Sequence, residues 1–210
     1  MKKRIDLDSW YRREHFEFFS TFDEPFFGLT ADIACRRAYE RSKTEDISFF
    51  ALYLHAVLSA LNRIPELCTR IEKDGVFQYD PVHVSSTLPR RDHSFAFSFI
   101  PFDQDIHIFI QNIEKELSAV QNSSGLRNNG DNARSDVIHF SALPWLTFTS
   151  LQHPRQKPGG DGIPKISVGK MFTRDNELFI PVSLHAHHGL ADGYHAAKFY
   201  EELTEELSKY

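Results

Sequence analysis

One stretch near the C-terminus constrains this chain more than any other: Leu178-Phe-Ile-Pro-Val-Ser-Leu-His-Ala-His-His188-Gly-Leu-Ala-Asp192-Gly-Tyr-His-Ala-Ala. Residues 178 to 188 alternate as a strand does. Leu178, Ile180, Val182, Leu184, Ala186 and His188 fall on one face, and Phe179, Pro181, Ser183, His185 and His187 on the other. His188 therefore ends an otherwise apolar face. A helix follows, with Asp192 as its N-cap and Ala196, Phe199/Tyr200, Leu203 and Leu207 at helical spacing. A histidine at a strand end, just before an aspartate at a helix start, is a good place for a base and its supporting group. The competing reading is a hydrogen-bonded core histidine.

The rest of the chain fits around that unit. Its 210 residues suffice for one domain with a sizeable core. A net charge of -5 with no long basic run makes nucleic acid and anionic membrane poor partners. No apolar h-region follows the charged start, and no apolar run approaches membrane-spanning length. Cys35 and Cys68 lack metal spacing, and reduced thiols in a cytoplasmic protein account for them. The 19 phenylalanines predict a thick aromatic core.

Residues 4 to 8 read as a short strand. Asp8-Ser9 caps a short aromatic helix from Trp10 to Phe19, and Gly28 to Ile33 read as a strand. The longest helix is expected from Asp46 to about Arg63, apolar on most sides. Further strands are expected at 69–71, 76–79, 82–87, 94–102, 137–141 and 146–149, and an amphipathic helix at 103–121. The Ser-, Asn- and Gly-rich 122–136 and the Pro/Gly-punctuated 152–165 read as loops. Residues 166–172 and 178–188 form a hairpin. Strands and helices mix without a regular βαβ rhythm. The expected class is α/β, a two-layer sandwich with a mixed sheet packed by helices.

His185 and His187, two apart on one strand face, raise the alternative of a zinc-dependent hydrolase. His188 points to the other face and His195 lies on the following helix, so no third ligand is assured.

His187-His188-Gly-Leu-Ala-Asp192-Gly resembles the His-His-x-x-x-Asp-Gly signature of the chloramphenicol acetyltransferases, which occurs in degenerate form in the acyltransferase cores of 2-oxoacid dehydrogenase complexes. Trp10-Tyr-Arg12-Arg13-Glu-His-Phe-Glu-Phe resembles the family's N-terminal helix. Ser141-Ala-Leu-Pro-Trp145 resembles its central segment, and Ser167-Val-Gly-Lys170 the strand leading into the hairpin. Order and spacing agree over essentially the whole chain.

The resemblance implies a single acetyltransferase domain over 1–210, trimeric, with each active site between two subunits. It implies acetyl transfer from acetyl-CoA to a hydroxyl, with chloramphenicol as the favoured acceptor and antibiotic resistance as the outcome. No metal is implied. His188 takes the role of base, Ser141 that of oxyanion donor, and Asp192 with Arg12 that of a buried ion pair fixing the chain around His188. Phe18, Phe19, Phe27 and Trp145 fall in the acceptor region, Ser167 where a hydroxyl helps hold a water, and Lys170 and Phe50 near the coenzyme. The chain departs from the family at Phe19, where a tyrosine is common, at Ser48, where a lysine is frequent, and at 151–162, where the family's wall is apolar. The alternatives are the same mechanism on another hydroxyl or a thiol, and a non-catalytic relic, which the presence of His188, Ser141, Asp192 and Arg12 opposes.

Overall fold

The computed structural model describes residues 1–128, 130, 134–154 and 162–210. In chain order the elements are β1 (Lys2–Arg4), α1 (Arg13–Phe19), β2 (Phe26–Ala34), α2 (Arg36–Thr44), α3 (Phe49–Asn62), a 3-10 turn (Pro65–Cys68), β3 (Thr69–Glu72) and β4 (Gly75–Tyr79). They continue with β5 (His83–Pro89), β6 (Phe95–Ile100), α4 (Ile106–Gln121), β7 (Val137–Leu143), β8 (Lys165–Gly169), β9 (Phe172–Arg174), β10 (Glu177–His187) and α5 (Gly193–Ser208).

The large sheet has the order β2-β10-β8-β7-β5-β6, with β9 pairing the start of β10. It is mixed: β5, β7 and β8 run parallel, and the other pairs are antiparallel. Helices α2 to α5 contribute to one core with one face of this sheet. That face carries Val84, Ile138, Phe140, Ile166, Val168, Ile180, Val182 and Leu184. Helix α3 is apolar all round because neighbours bury it on most sides, and α5 inserts Ala196, Phe199, Leu203 and Leu207. The expected layering is thus observed. The smaller sheet, β1-β4-β3, holds the strands expected at 69–71 and 76–79, paired antiparallel.

The structure departs from the expected elements in several places, one being that α3, at 14 residues, is shorter than α4 and α5 at 16. Helix α2 was not read from the sequence, because its nine residues bury only Ala38 and Ser42 and so leave no apolar stripe. Residues 146–149 are not a strand. Pro144 cannot donate to a ladder, and the chain turns there. It then passes back over the sheet face opposite the helices, where Phe148 lies against Gly169. Helix α1 begins at Arg13, not Trp10, and its N-cap position is Arg12. The first strand ends at Arg4 instead of running to residue 8. Of the expected loop at 152–165, residues 155–161 lie outside the described residues.

Phe199 is fully buried between α5 and the sheet. Truncating such a side chain removes its transfer energy and leaves a cavity, which costs about 3–5 kcal/mol. Phe199→Ala should lose stability of that order in urea denaturation, with the slope of the transition unchanged.

Candidate functional site

The site is built at the turn between β10 and α5. Strand β10 delivers His188 just past its end, and Leu190 and Ala191 donate their N–H groups to the His187 carbonyl to close the turn. Gly189 is needed there, since a Cβ would lie 3.0 Å from the Phe16 Cα of α1 and 3.1 Å from the His187 ring. Asp192 then caps α5, accepting from the Tyr194 N–H at 3.0 Å, with His195 Nδ1 2.9 Å from the same Oδ1. The N-cap expected from the sequence is the one observed.

Arg12 holds this turn from the other side. Its side chain is 3% exposed, and its Nη1 donates to Asp192 Oδ2 at 2.8 Å. Its Nη2 donates to the backbone carbonyl of His188 at 3.3 Å. Asp192 is 31% exposed. Burial by itself would raise the Asp192 pKa. The Arg12 hydrogen bond and the charges of His195 and Arg12 outweigh burial and hold the carboxyl at about 2.

The His188 imidazole is fixed in orientation. It stacks on Phe19 with centroids 4.1 Å apart and planes within 3°, and Phe27 lies 4.8 Å away at 45°. Its backbone N–H donates to the Pro25 carbonyl at 2.8 Å. Its Nδ1 is buried and finds no hydrogen-bond partner among the described residues. Phe19 and Phe27 thus meet the histidine directly, while Phe18 is 60% exposed and packs on Phe19 and Phe22.

Ser141 lies elsewhere. It sits in β7, in register with Ser167 of β8, which is in register with Ser183 of β10. His188 is five residues beyond Ser183, about 16 Å along the strand, and β7 is two strands away, about another 10 Å. One chain therefore keeps His188 and Ser141 well apart. Trp145, 71% exposed, follows β7 in its terminal turn. Lys170 is exposed at the break between β8 and β9, its N–H donating to the Leu146 carbonyl at 2.8 Å. Phe50 is half-buried at the start of α3 and packs edge-on against Tyr53 and Phe140.

His185 and His187 share a strand face as expected, but they have different surroundings. His187 Nδ1 accepts the Gly189 N–H at 3.1 Å, and its ring lies edge-on to Phe26. His185 lies over Gly28, where a Cβ would come within 2.5 Å of the ring, and edge-on to His153. Among the described residues no group of three or more His, Cys, Asp or Glu is arranged to hold a metal ion. This geometry gives the zinc reading no support.

Sequence reasoning gave no role to the outer part of the Arg12–Asp192 network. His195 Nε2 stands 3.6 Å from Glu66 Oε1, which accepts the Tyr11 hydroxyl at 2.5 Å. The third position after the N-cap marks His195 as a capping-box residue. Nothing in the sequence links Glu66, far away on the 3-10 turn, to it.

The family model described as chloramphenicol acetyltransferase matches residues 2–204. A chloramphenicol acetyltransferase of Clostridium perfringens is 26% identical over 212 positions, covering 98% of this chain and 94% of the relative. The solved structure of a chloramphenicol acetyltransferase superposes with a TM-score of 0.93 at 32% identity, covering 99% of this chain and 100% of that one. A probable dihydrolipoamide acetyltransferase from Listeria monocytogenes shares the fold, with a TM-score of 0.66 at 16% identity over 99% of this chain and 94% of that one. By the extent of these matches, the chain belongs to the chloramphenicol acetyltransferase family, a family of enzymes.

Proposed function

We propose that the chain is an O-acetyltransferase that moves the acetyl group of acetyl-CoA to a hydroxyl of chloramphenicol. It acts as a cytoplasmic homotrimer of single 1–210 domains, with each site between two copies and no metal. Family membership supports the reaction class. The observation that carries the mechanism is the imidazole of His188, held between Phe19 and Phe27 on a backbone fixed by hydrogen bonds to Arg12 and Pro25.

A hydroxyl is a weak nucleophile and needs a base as it attacks. His188 takes the acceptor's proton as its oxygen attacks the thioester carbonyl, and a C–O bond forms. Charge then develops on the former carbonyl oxygen. The Ser141 hydroxyl donates to it, a contribution of about 3 kcal/mol. Collapse breaks the C–S bond, and the proton held by His188 passes to the departing thiolate. No acetyl-enzyme forms, because both substrates meet in one ternary complex. Ser167 holds a water near the intermediate. Phe18, Phe19, Phe27 and Trp145 wall the acceptor, and Lys170 and Phe50 stand by the coenzyme.

An oxyanion donor must lie about 3 Å from the oxygen that it stabilises. His188 and Ser141 of one chain are too far apart for that, which supports a site shared by two copies. A closed ring of identical head-to-tail contacts builds such sites without leaving any incomplete. The exposed Phe95 of β6, the exposed Trp145 and Leu146, and the exposed Phe18 and Phe22 supply apolar surface for the contact. The same mechanism on another hydroxyl or on a thiol is the second reading, favoured by the polar residues on the sheet face around Ser167.

The direct assay follows release of free thiol from acetyl-CoA with chloramphenicol as acceptor. His188→Ala should lower kcat by a thousandfold or more, to the order seen when a base or oxyanion donor is removed, while keeping wild-type thermal stability. Wild-type turnover in His188→Ala would overturn the mechanism.

Asp192 contributes stability that is fully present above its unfolded pKa near 4 and is lost as pH falls toward about 2. Wild-type melting temperature should therefore drop more steeply between pH 4 and pH 2 than that of Asp192→Asn. Near pH 7 the variant should be the less stable, because Arg12 keeps a buried charge without its anion. Parallel pH profiles for the two proteins would contradict this assignment.

A further inference from the structure

One histidine reaches the open sheet face without a part in the mechanism above. Ser141 of β7, Ser167 of β8 and Ser183 of β10 lie side by side in one row of that face. Ser167, in the middle of the row, is fully buried. His153 comes down onto the face from the segment after Pro144, and its Nε2 lies 3.2 Å from the Ser167 hydroxyl. It is half-buried, with its ring edge-on to that of His185 at 5.4 Å.

A serine hydroxyl has one proton to give and two lone pairs that receive. With a single heavy atom on Cβ, serine also lacks the stiffness at χ1 of a branched side chain. The strand alone therefore fixes neither the rotamer of Ser167 nor the direction of its proton. A water that donates one proton to a developing oxyanion has its second proton for Ser167, and Ser167 must then accept it. The Ser167 proton has to go elsewhere. In a neutral imidazole one ring nitrogen carries the proton and the other accepts. With the proton on Nδ1, Nε2 of His153 receives the Ser167 proton. Burial, then the positive fields of His185, Lys165 and His139, depress the His153 pKa to about 4, so the ring is neutral at pH 7. An imidazolium would donate at both nitrogens and turn the Ser167 proton the other way.

We propose that His153 is a positioning residue for acyl transfer: its Nε2 accepts the Ser167 proton and leaves the Ser167 oxygen to accept from the water beside the intermediate. This rests on the acyl-transfer reading in which Ser167 holds that water.

Thiol release from acetyl-CoA with chloramphenicol is measured for wild type, His153→Ala, Ser167→Ala and the double variant. We expect His153→Ala to lower kcat about five- to tenfold, the worth of one net hydrogen bond, with KM for both substrates within about twofold. In the Ser167→Ala background the same change should alter kcat by less than about twofold, because the group it acts through is gone. His153→Gln, whose amide oxygen also accepts, should recover most of the loss. His153→Phe, a flat ring with no acceptor, replaces His153→Ala if that variant does not fold. An unchanged kcat in His153→Ala, or an equal loss in both backgrounds, would overturn the proposal.

Nitrogen NMR of the protein with isotope-labelled histidine reads the bond without turnover, the His153 signals being identified by their loss in His153→Gln. At pH 7 we expect an unprotonated Nε2 whose shift changes in Ser167→Ala. A protonated Nε2, or a shift indifferent to Ser167→Ala, would also overturn it. If the wild type acetylates no chloramphenicol, the acyl-transfer reading fails and the role given to His153 falls with it, whatever the spectrum shows of the bond.

Discussion

The structure depends on one buried cation. Arg12 reaches from the start of α1 to the Asp192 carboxylate and to the His188 carbonyl, tying three parts of the chain at one guanidinium. A buried charge of this kind is costly unless it is paired and hydrogen-bonded, and removing one partner costs about 3–5 kcal/mol. Asp192 meets that demand while also capping α5. One side chain thus fixes where the helix begins, where the turn closes and how the His188 backbone sits. The planar fork of arginine suits this double duty, and a lysine could not reproduce it. Beyond Asp192 the network continues through His195 to Glu66 and Tyr11, so that the 3-10 turn after α3 also bears on the turn that carries His188.

Much of this was legible in the sequence. The alternation of β10, the cap at Asp192 and the helical spacing of Phe199, Leu203 and Leu207 are local patterns, and each forms as read. Helix α2 was not legible because its surface is polar nearly all round. Residues 146–149 carry strand-forming side chains, but Pro144 turns them out of the sheet and over its open face. One row of the sheet's open face was hidden for a different reason. His139, Lys165 and His185 meet only because β7–β8 pair in parallel and β8–β10 antiparallel at one register, and no single segment encodes that. The His185/His187 pair shows the converse. Its spacing was read correctly, yet one ring serves a turn and the other lies on Gly28.

The two faces of the large sheet divide the labour. One is apolar and holds α2 to α5 in a single core, which gives β10 a rigid bed. The other carries serines, histidines and Lys165, partly covered by the chain after Pro144. His188 stands at the end of the sheet, against Phe19 and Phe27, and Ser141 stands on its open face. In the proposed trimer these two places, remote within one chain, belong to the same site. Within each chain the Arg12–Asp192 pair holds the histidine turn, and the strand register holds Ser141.

The central claim is therefore that base and oxyanion donor come from different copies, and mixed trimers test it most directly. His188→Ala and Ser141→Ala chains, each nearly inactive alone, would be unfolded together at equal concentration and refolded. A site that draws its histidine from one copy and its serine from the next becomes wild type when the right chains meet. Random assortment in a closed ring then predicts recovery of about one quarter of the wild-type acetylation rate. Recovery no greater than the sum of the two separate variants would show that each site is built within one chain, and would contradict the account.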